Sequence, residues 1–152
     1  MKIFDCFMYF DEEVTLDVRL NTLDKYVDYF VIVEANFTHR GDSRKLLFNH
    51  EKFKKFKHKI IYLVFDKQPN NIQKVYEKDD ENIKSQKYIM NALFRENGQR
   101  NHINQGILNA NLEDIIMISD VDEIPNIDNI NFSEIDEKII LFKQDMFYYK
   151  FN

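Results

Sequence analysis

Asp114–Pro125, DIIMISDVDEIP, is the stretch that decides how this chain is read: a short apolar run stops in a turn carrying three carboxylates. Ile115, Ile116, Met117 and Ile118 predict a buried strand, so Asp120, Asp122 and Glu123 fall just past its C-terminal end. In open α/β sheets ligands bind beyond that end, and residues two apart on an extended chain can aim two oxygen donors at one hard cation. A divalent metal holding a phosphate is the chemistry that suits this pattern.

The rest of the chain alternates between strand and helix signals. MKIFDCFMYF predicts a first strand over 2–10, and Leu16, Leu20, Leu23 and Val27, spaced 4, 3 and 4 apart, predict a helix over 12–27 with one apolar face. Tyr29–Ala35, YFVIVEA, predicts a continuous apolar strand with Glu34 at its end, and Asn36–Lys45, containing Gly41, a polar loop. Phe48–Lys59, with lysines at 52, 54, 55, 57 and 59 around Phe53 and Phe56, predicts a short exposed helix with a solvated basic face. Ile60–Phe65 is the next strand, closed by Asp66, and Lys67–Asp80, with Pro69, an irregular crossing. Two helices over 81–95 and 97–110, parted near Gly98, lead into the carboxylate-bearing strand. A short helix over 127–136 and an apolar strand over Lys138–Tyr149 close the chain.

This β-α-β-(α)-β-α-β order predicts an α/β fold, a mostly parallel sheet flanked by helices, in one domain spanning 1–152. Three of its strands end in acids, Glu34, Asp66 and Asp120. A lone acid there is mundane, but three at one edge of a sheet make a nucleotide site credible.

Composition bounds the function. With 152 residues, 44% apolar and 14% aromatic, the chain can bury a core. Its 21 Lys and Arg against 26 Asp and Glu, a net charge of -5 without a long basic tract, argue against a nucleic-acid binder. Cys6 is the only cysteine, which excludes an internal disulfide framework and fits a reducing cytoplasm. Asp5 divides the N-terminal apolar run, and Asp11, Glu12 and Glu13 follow with no small-residue cleavage site, so the segment reads as a strand and not as a signal peptide. No stretch approaches the ~20 apolar residues of a membrane span. A soluble, cytoplasmic chain with no membrane anchor of its own is the expectation. His39, His50, His58 and His102 lack metal-ligand spacing and read as structural or surface residues. Phe147, Tyr148 and Tyr149 offer rings for a sugar but read as packing.

The segments FDCFMYFDEEVTLDVRLNTLDKYVDYFVIVEANFTHRG, RENGQRNHINQGI, IIMISDVDEIP and FYYKFN, in that order over essentially the whole chain, resemble glycosyltransferase family 17. The resemblance implies a GT-A-like nucleotide-sugar-binding fold with Asp120-Val121-Asp122 as its DxD motif. On it, Asp122 coordinates Mn²⁺ or Mg²⁺ bridging the donor diphosphate, and Asp120 contacts the ribose, metal-bound water or the metal. A cation there stabilises the charge that builds on the leaving nucleoside diphosphate. UDP-GlcNAc is the implied donor, transferred with inversion to a glycan or glycoconjugate acceptor.

Further matched positions are Glu13, Arg19, Glu34, Arg100 and Asn101. Arg100 suits a diphosphate oxygen or an ion pair with Glu96 one turn earlier; Glu34 suits a nucleobase or ribose hydroxyl or a plain strand end. Glu13 and Arg19, six apart, do not share a helical face and read as structural. Family members are usually longer, and here the chain runs only from 123 to 152 beyond Asp122, so the acceptor half is expected to be missing, abbreviated or supplied by a partner. Asp145 and Glu123 are the candidates for the base that an inverting transfer requires. Two other classes compete. A haloacid dehalogenase-type phosphatase also places DxD after a strand, though near the chain start. A nucleotide-sugar-binding module without transfer activity is the non-enzymatic alternative.

Overall fold

Side-chain alternation along four strands builds two cores on one sheet. The computed structural model describes residues 1–145. Its strands are β1 (Ile3–Tyr9), β2 (Tyr29–Ala35), β3 (Ile60–Phe65) and β4 (Ile115–Ser119), and its helices α1 (Glu13–Leu23) and α2 (Glu81–His102), in the order β1-α1-β2-β3-α2-β4. The sheet runs β3-β2-β1-β4 and every pairing in it is parallel. One face carries Phe7, Tyr9, Phe30, Ile32 and Met117 against Leu16, Leu20 and Leu23 of α1; the other carries Phe4, Cys6, Val31 and Val33 against Ile103. Each of these α1 leucines is fully buried, and burial of such a side chain contributes about 1.5–3 kcal/mol.

The α/β class, the parallel sheet and the strands Tyr29–Ala35 and Ile60–Phe65 agree with the sequence reading; α1 buries the expected leucines but ends at Leu23, short of Val27, which joins the same core from beyond the helix. Several expectations do not hold. The two helices expected around Gly98 are one, α2, opened by Asp80, whose side chain accepts from the amide of Ile83 at 2.9 Å. Gly98 is a packing residue in it: a Cβ there would meet Phe65 at 2.9 Å and Pro69 at 3.1 Å. α2 stops at His102 because Ile103, Ile107 and Ala110 turn down into the second core.

The helix expected over 48–59 shrinks to one 3-10 turn, Lys54–Phe56. Asn49 accepts from the amides of Glu51 and Lys52, and Phe53 and Phe56 drop into the first core. Likewise 127–136 holds only the 3-10 turn Phe132–Glu134, because Ile127 and Phe132 are both committed to that core. The closing strand is not formed over 138–145, where the chain is exposed; the rest of it, with Phe147, Tyr148 and Tyr149, lies outside the described residues.

Candidate functional site

The sheet order places a topological switch between β1 and β4. From β1 the chain proceeds outward to β2 and β3, then crosses back to lay β4 on the other side of β1. Connections on the two sides diverge there, opening the crevice in which doubly wound sheets bind ligands. Ser119, the last residue of β4, is in register with Phe7 of β1, so the carboxylate turn 120–123 emerges at this crevice.

The turn is tightly made. The Glu123 amide donates to the Asp120 carbonyl at 3.0 Å, the Ile124 amide to the Asp122 carbonyl at 3.1 Å, and the Asp120 amide to Glu123 Oε2 at 3.0 Å. Val121 is buried in the first core, which turns Asp120 and Asp122 on either side of it out to solvent. Arg100 of α2 reaches Glu96 at 3.6 Å, the ion pair expected one turn earlier, and also Asp120 Oδ1 at 3.0 Å, a partner not expected for it. Among the described residues the Asp122 carboxylate accepts no hydrogen bond and makes no ion pair, and it faces a cleft of about 720 Å³. The facing walls are Tyr9 and Phe10 at the end of β1, Glu12 and Thr15 at the start of α1, Thr38–Arg40 beyond β2, and Glu96 and Gln99 of α2.

The other expected site residues do not join them. Glu34 points into the first core, fully buried, and its carboxylate is spent: it accepts from the amides of Leu47 at 2.7 Å and Phe48 at 3.1 Å and from the Tyr62 hydroxyl at 2.7 Å, and pairs with Arg44 at 3.1 Å. It fastens the 36–48 loop to the sheet and is not placed to touch a nucleotide. Asp66 shares the carboxyl edge of the sheet but follows β3, the outermost strand, three strand spacings or about 14 Å from β4. Asn101 is exposed at the end of α2, outside the cleft lining, and so is Asp145. Glu123 holds the turn through its carboxylate. Glu13 pairs with Lys52 at the surface.

Arg19 is structural, as read from sequence, but its partner was not foreseen, and three further features were missed. Arg19 is completely buried and forms a two-pronged ion pair with Asp5 of β1, Nε to Oδ2 at 2.8 Å and Nη2 to Oδ1 at 2.6 Å. A signal for it existed: Arg19 sits on the same stripe as Leu16 and Leu23, and Asp5 interrupts an apolar strand. Phe10 stands at the cleft with a partly exposed ring, the Arg44 guanidinium 4.1 Å from its centroid. His39 and Arg40 are brought to the rim by a turn at Gly41, whose φ of 100° suits glycine and whose missing Cβ makes room for the Arg95 guanidinium, 2.5 Å from where that atom would sit. The Tyr9 hydroxyl is pushed up to about 12, by burial first and then by Glu34 and the acids opening α1, so it stays protonated at neutral pH. The cleft thus combines the exposed carboxylates of Asp120 and Asp122, the Arg40 guanidinium, a protonated phenol and an aromatic face, with Arg100 on Asp120 beside it.

Fold and site together describe an α/β domain with a charged crevice at its switch point, consistent with a GT-A-like domain. The chain belongs to glycosyltransferase family 17, whose sequence profile matches residues 1–152. It is 32% identical over 122 residues to the beta-1,4-mannosyl-glycoprotein 4-beta-N-acetylglucosaminyltransferase of Homo sapiens, and 31% identical over 122 residues to that of Mus musculus. Each match covers 77% of this chain and 20% of the relative, so the chain spans about a fifth of the length of the curated relatives it matches. No solved structure matches it.

Proposed function

We propose that this chain carries the donor-binding part of a metal-dependent glycosyltransferase that transfers GlcNAc from UDP-GlcNAc, with inversion, to a glycan or glycoconjugate. The observation that carries this reading is the exposed Asp120–Asp122 pair at the crevice between β1 and β4, in a chain of this family. The relatives' names supply the sugar.

The donor set fits a divalent cation. Asp122 offers a carboxylate unpaired among the described residues, and Asp120 the oxygen that Arg100 does not take. No cluster of three or more His, Cys, Asp or Glu able to hold a metal exists among the described residues. Mg²⁺ and Mn²⁺ sites that use one or two carboxylates complete themselves with substrate phosphates and water, which is what this pair would require. A cation bound there would neutralise charge developing on the departing UDP. With a cation on Asp120, Arg100 would be free to pair with a diphosphate oxygen, Phe10 would supply a flat apolar face, and the Tyr9 hydroxyl could donate a hydrogen bond.

Neither expected base takes that role in this reading, because Glu123 Oε2 is engaged by the Asp120 amide and Asp145 stands outside the cleft. That favours a second reading on the same site: binding of the nucleotide sugar with slow or partner-dependent transfer. The phosphatase alternative is set aside on family membership. No helix among the described residues is long and apolar enough to cross a membrane. The single buried Cys6 suits a reducing compartment such as the cytoplasm.

Calorimetry with UDP, with and without Mn²⁺, tests the site, and turnover of UDP-GlcNAc tests the transfer. Micromolar, Mn²⁺-dependent affinity, on the order of 8 kcal/mol, is expected. Equal affinity in chelator would refute the cation site, and rapid regiospecific transfer to a defined acceptor would refute the binding-only reading.

A further inference from the structure

We infer that the buried Asp5–Arg19 ion pair is the positioning element of the carboxylate turn, setting the angle at which Asp120 and Asp122 present their oxygens. This rests on the reading of those two acids as the cation site.

All of the Arg19 guanidinium is committed. Nε and Nη2 hold the two oxygens of Asp5, and Nη2 also reaches Ser119 Oγ at 2.7 Å. Nη1 donates to three carbonyls of the turn itself, Asp120 at 2.7 Å, Val121 at 3.2 Å and Glu123 at 3.1 Å. Three carbonyls converging on one guanidinium fix the peptide planes of 120, 121 and 123, and with them the directions in which the intervening side chains leave the backbone. The ring of Phe7, 4.5 Å away, covers the guanidinium. Beyond the turn, Asp128 accepts from Lys25 and Tyr26, just past the C-terminal end of α1, a second tie to the same segment.

Stability alone does not account for this arrangement. Taking an arginine and an aspartate out of water offsets most of what their attraction returns, and apolar residues of similar volume serve a core as well or better. What an apolar pair cannot do is grip carbonyls. Lysine is no substitute, since a point charge with three donors cannot span Asp5, Ser119 and three carbonyls at once.

The test is Arg19→Lys in the full chain, read by Mn²⁺ electron paramagnetic resonance and UDP calorimetry well below the unfolding temperature. Mn²⁺-dependent UDP affinity is expected to fall at least tenfold while the weak affinity measured in chelator is unchanged. Leu23→Ala, a cavity in the same core remote from the turn, is expected to lower the unfolding temperature and leave Mn²⁺-dependent affinity at the wild-type value. Ser119→Ala removes the acceptor of Nη2, together with the bond the Ser119 hydroxyl itself donates to the Glu123 carbonyl at 3.1 Å, without stranding a charge, and should cost about threefold; it decides the matter if Arg19→Lys does not fold. Wild-type affinity in Arg19→Lys, or in Ser119→Ala where that variant must decide, overturns the inference, as does an equal loss in Leu23→Ala. A wild-type protein with no Mn²⁺-dependent UDP binding overturns the cation-site reading itself, and the inference with it.

Discussion

Replacing Glu34 with glutamine separates a fold-holding acid from a ligand-holding one. Its carboxylate is fully buried and serves four partners: the Leu47 and Phe48 amides, the Tyr62 hydroxyl and the Arg44 guanidinium. Glutamine keeps the shape but turns one acceptor into a donor facing donors, and removes the charge opposite a largely buried arginine. Breaking a buried pair on one side costs about 3–5 kcal/mol. Arg44 retains the carbonyls of Ala35 and Phe10, which puts Glu34→Gln at the low end, about 3 kcal/mol. For a chain of this size that corresponds to about 6–12 °C in unfolding temperature. Calorimetric melting measures it.

A second readout comes from Tyr62. Burial first, and then the hydrogen bond to Glu34, push its hydroxyl well above the usual tyrosine value. Loss of the Glu34 charge removes the second cause, so the phenol should ionise at lower pH in Glu34→Gln, visible by ultraviolet titration. UDP affinity should be unchanged at temperatures where the variant is folded. A variant that melts like wild type but binds UDP more weakly would refute this reasoning and return Glu34 to the nucleotide site.

Asp122→Asn should abolish Mn²⁺-dependent UDP binding in calorimetry while shifting stability by less than about 0.5 kcal/mol, since its carboxylate supports no other described group. Arg100→Ala should move two affinities in opposite directions, Mn²⁺ alone binding more tightly once Asp120 loses its competitor, and UDP with Mn²⁺ more weakly; a parallel change in both would remove Arg100 from the diphosphate. The Cys6 thiol, pushed up to about 12 by burial and then by Asp5, should resist a disulfide reagent at pH 8 until the protein unfolds, so thiol release should track global unfolding. Asp128, held below its ordinary 3.8 by the Tyr26 hydrogen bond and then Lys25, and Asp114, held below it by the Asn111 and Lys2 amides, contribute stability that is fully present above pH 3.8 and lost as pH falls through their lower folded values. Titration of the two carboxylates by NMR should place both midpoints below 3.8, and midpoints at or above it would remove this source of acid sensitivity.

The strands were legible because they declare themselves twice, through continuous apolar runs and through the acids that stop them. YFVIVEA, central in the sheet, and IIYLVF, at its edge, are both apolar on both faces and were placed to the residue. Elements whose form depends on distant contacts were not. Gly98 reads as a break until Phe65 and Pro69 come close enough to require a residue without Cβ, and the lysine-rich 48–59 segment reads as a helix until Phe53 and Phe56 are drawn inward. The site divides along the same line. The DVDE turn is local chemistry at a strand end and was visible, whereas Phe10, Arg40 and Arg19 reach it through the sheet order and the Gly41 turn, which periodicity does not encode.

Which acid becomes a site is decided by which acids the fold has already neutralised. Asp5 and Glu34 both lie on the α1 face of the sheet, both are fully buried, and each is met by one arginine, Arg19 and Arg44. Neither arginine stops at its carboxylate. Arg19 spends its remaining donors on Ser119 and the carbonyls of the 120–123 turn; Arg44 spends its own on the carbonyls of Ala35 and Phe10 and lies against the Phe10 ring. Two buried ion pairs therefore hold two walls of one cleft, the carboxylate turn beyond β4 and the aromatic residue beyond β1. Asp122, on the first of those walls, faces the cleft without a described partner of its own. A carboxylate held rigid yet uncompensated binds a cation with little reorganisation, because its support was completed when the protein folded.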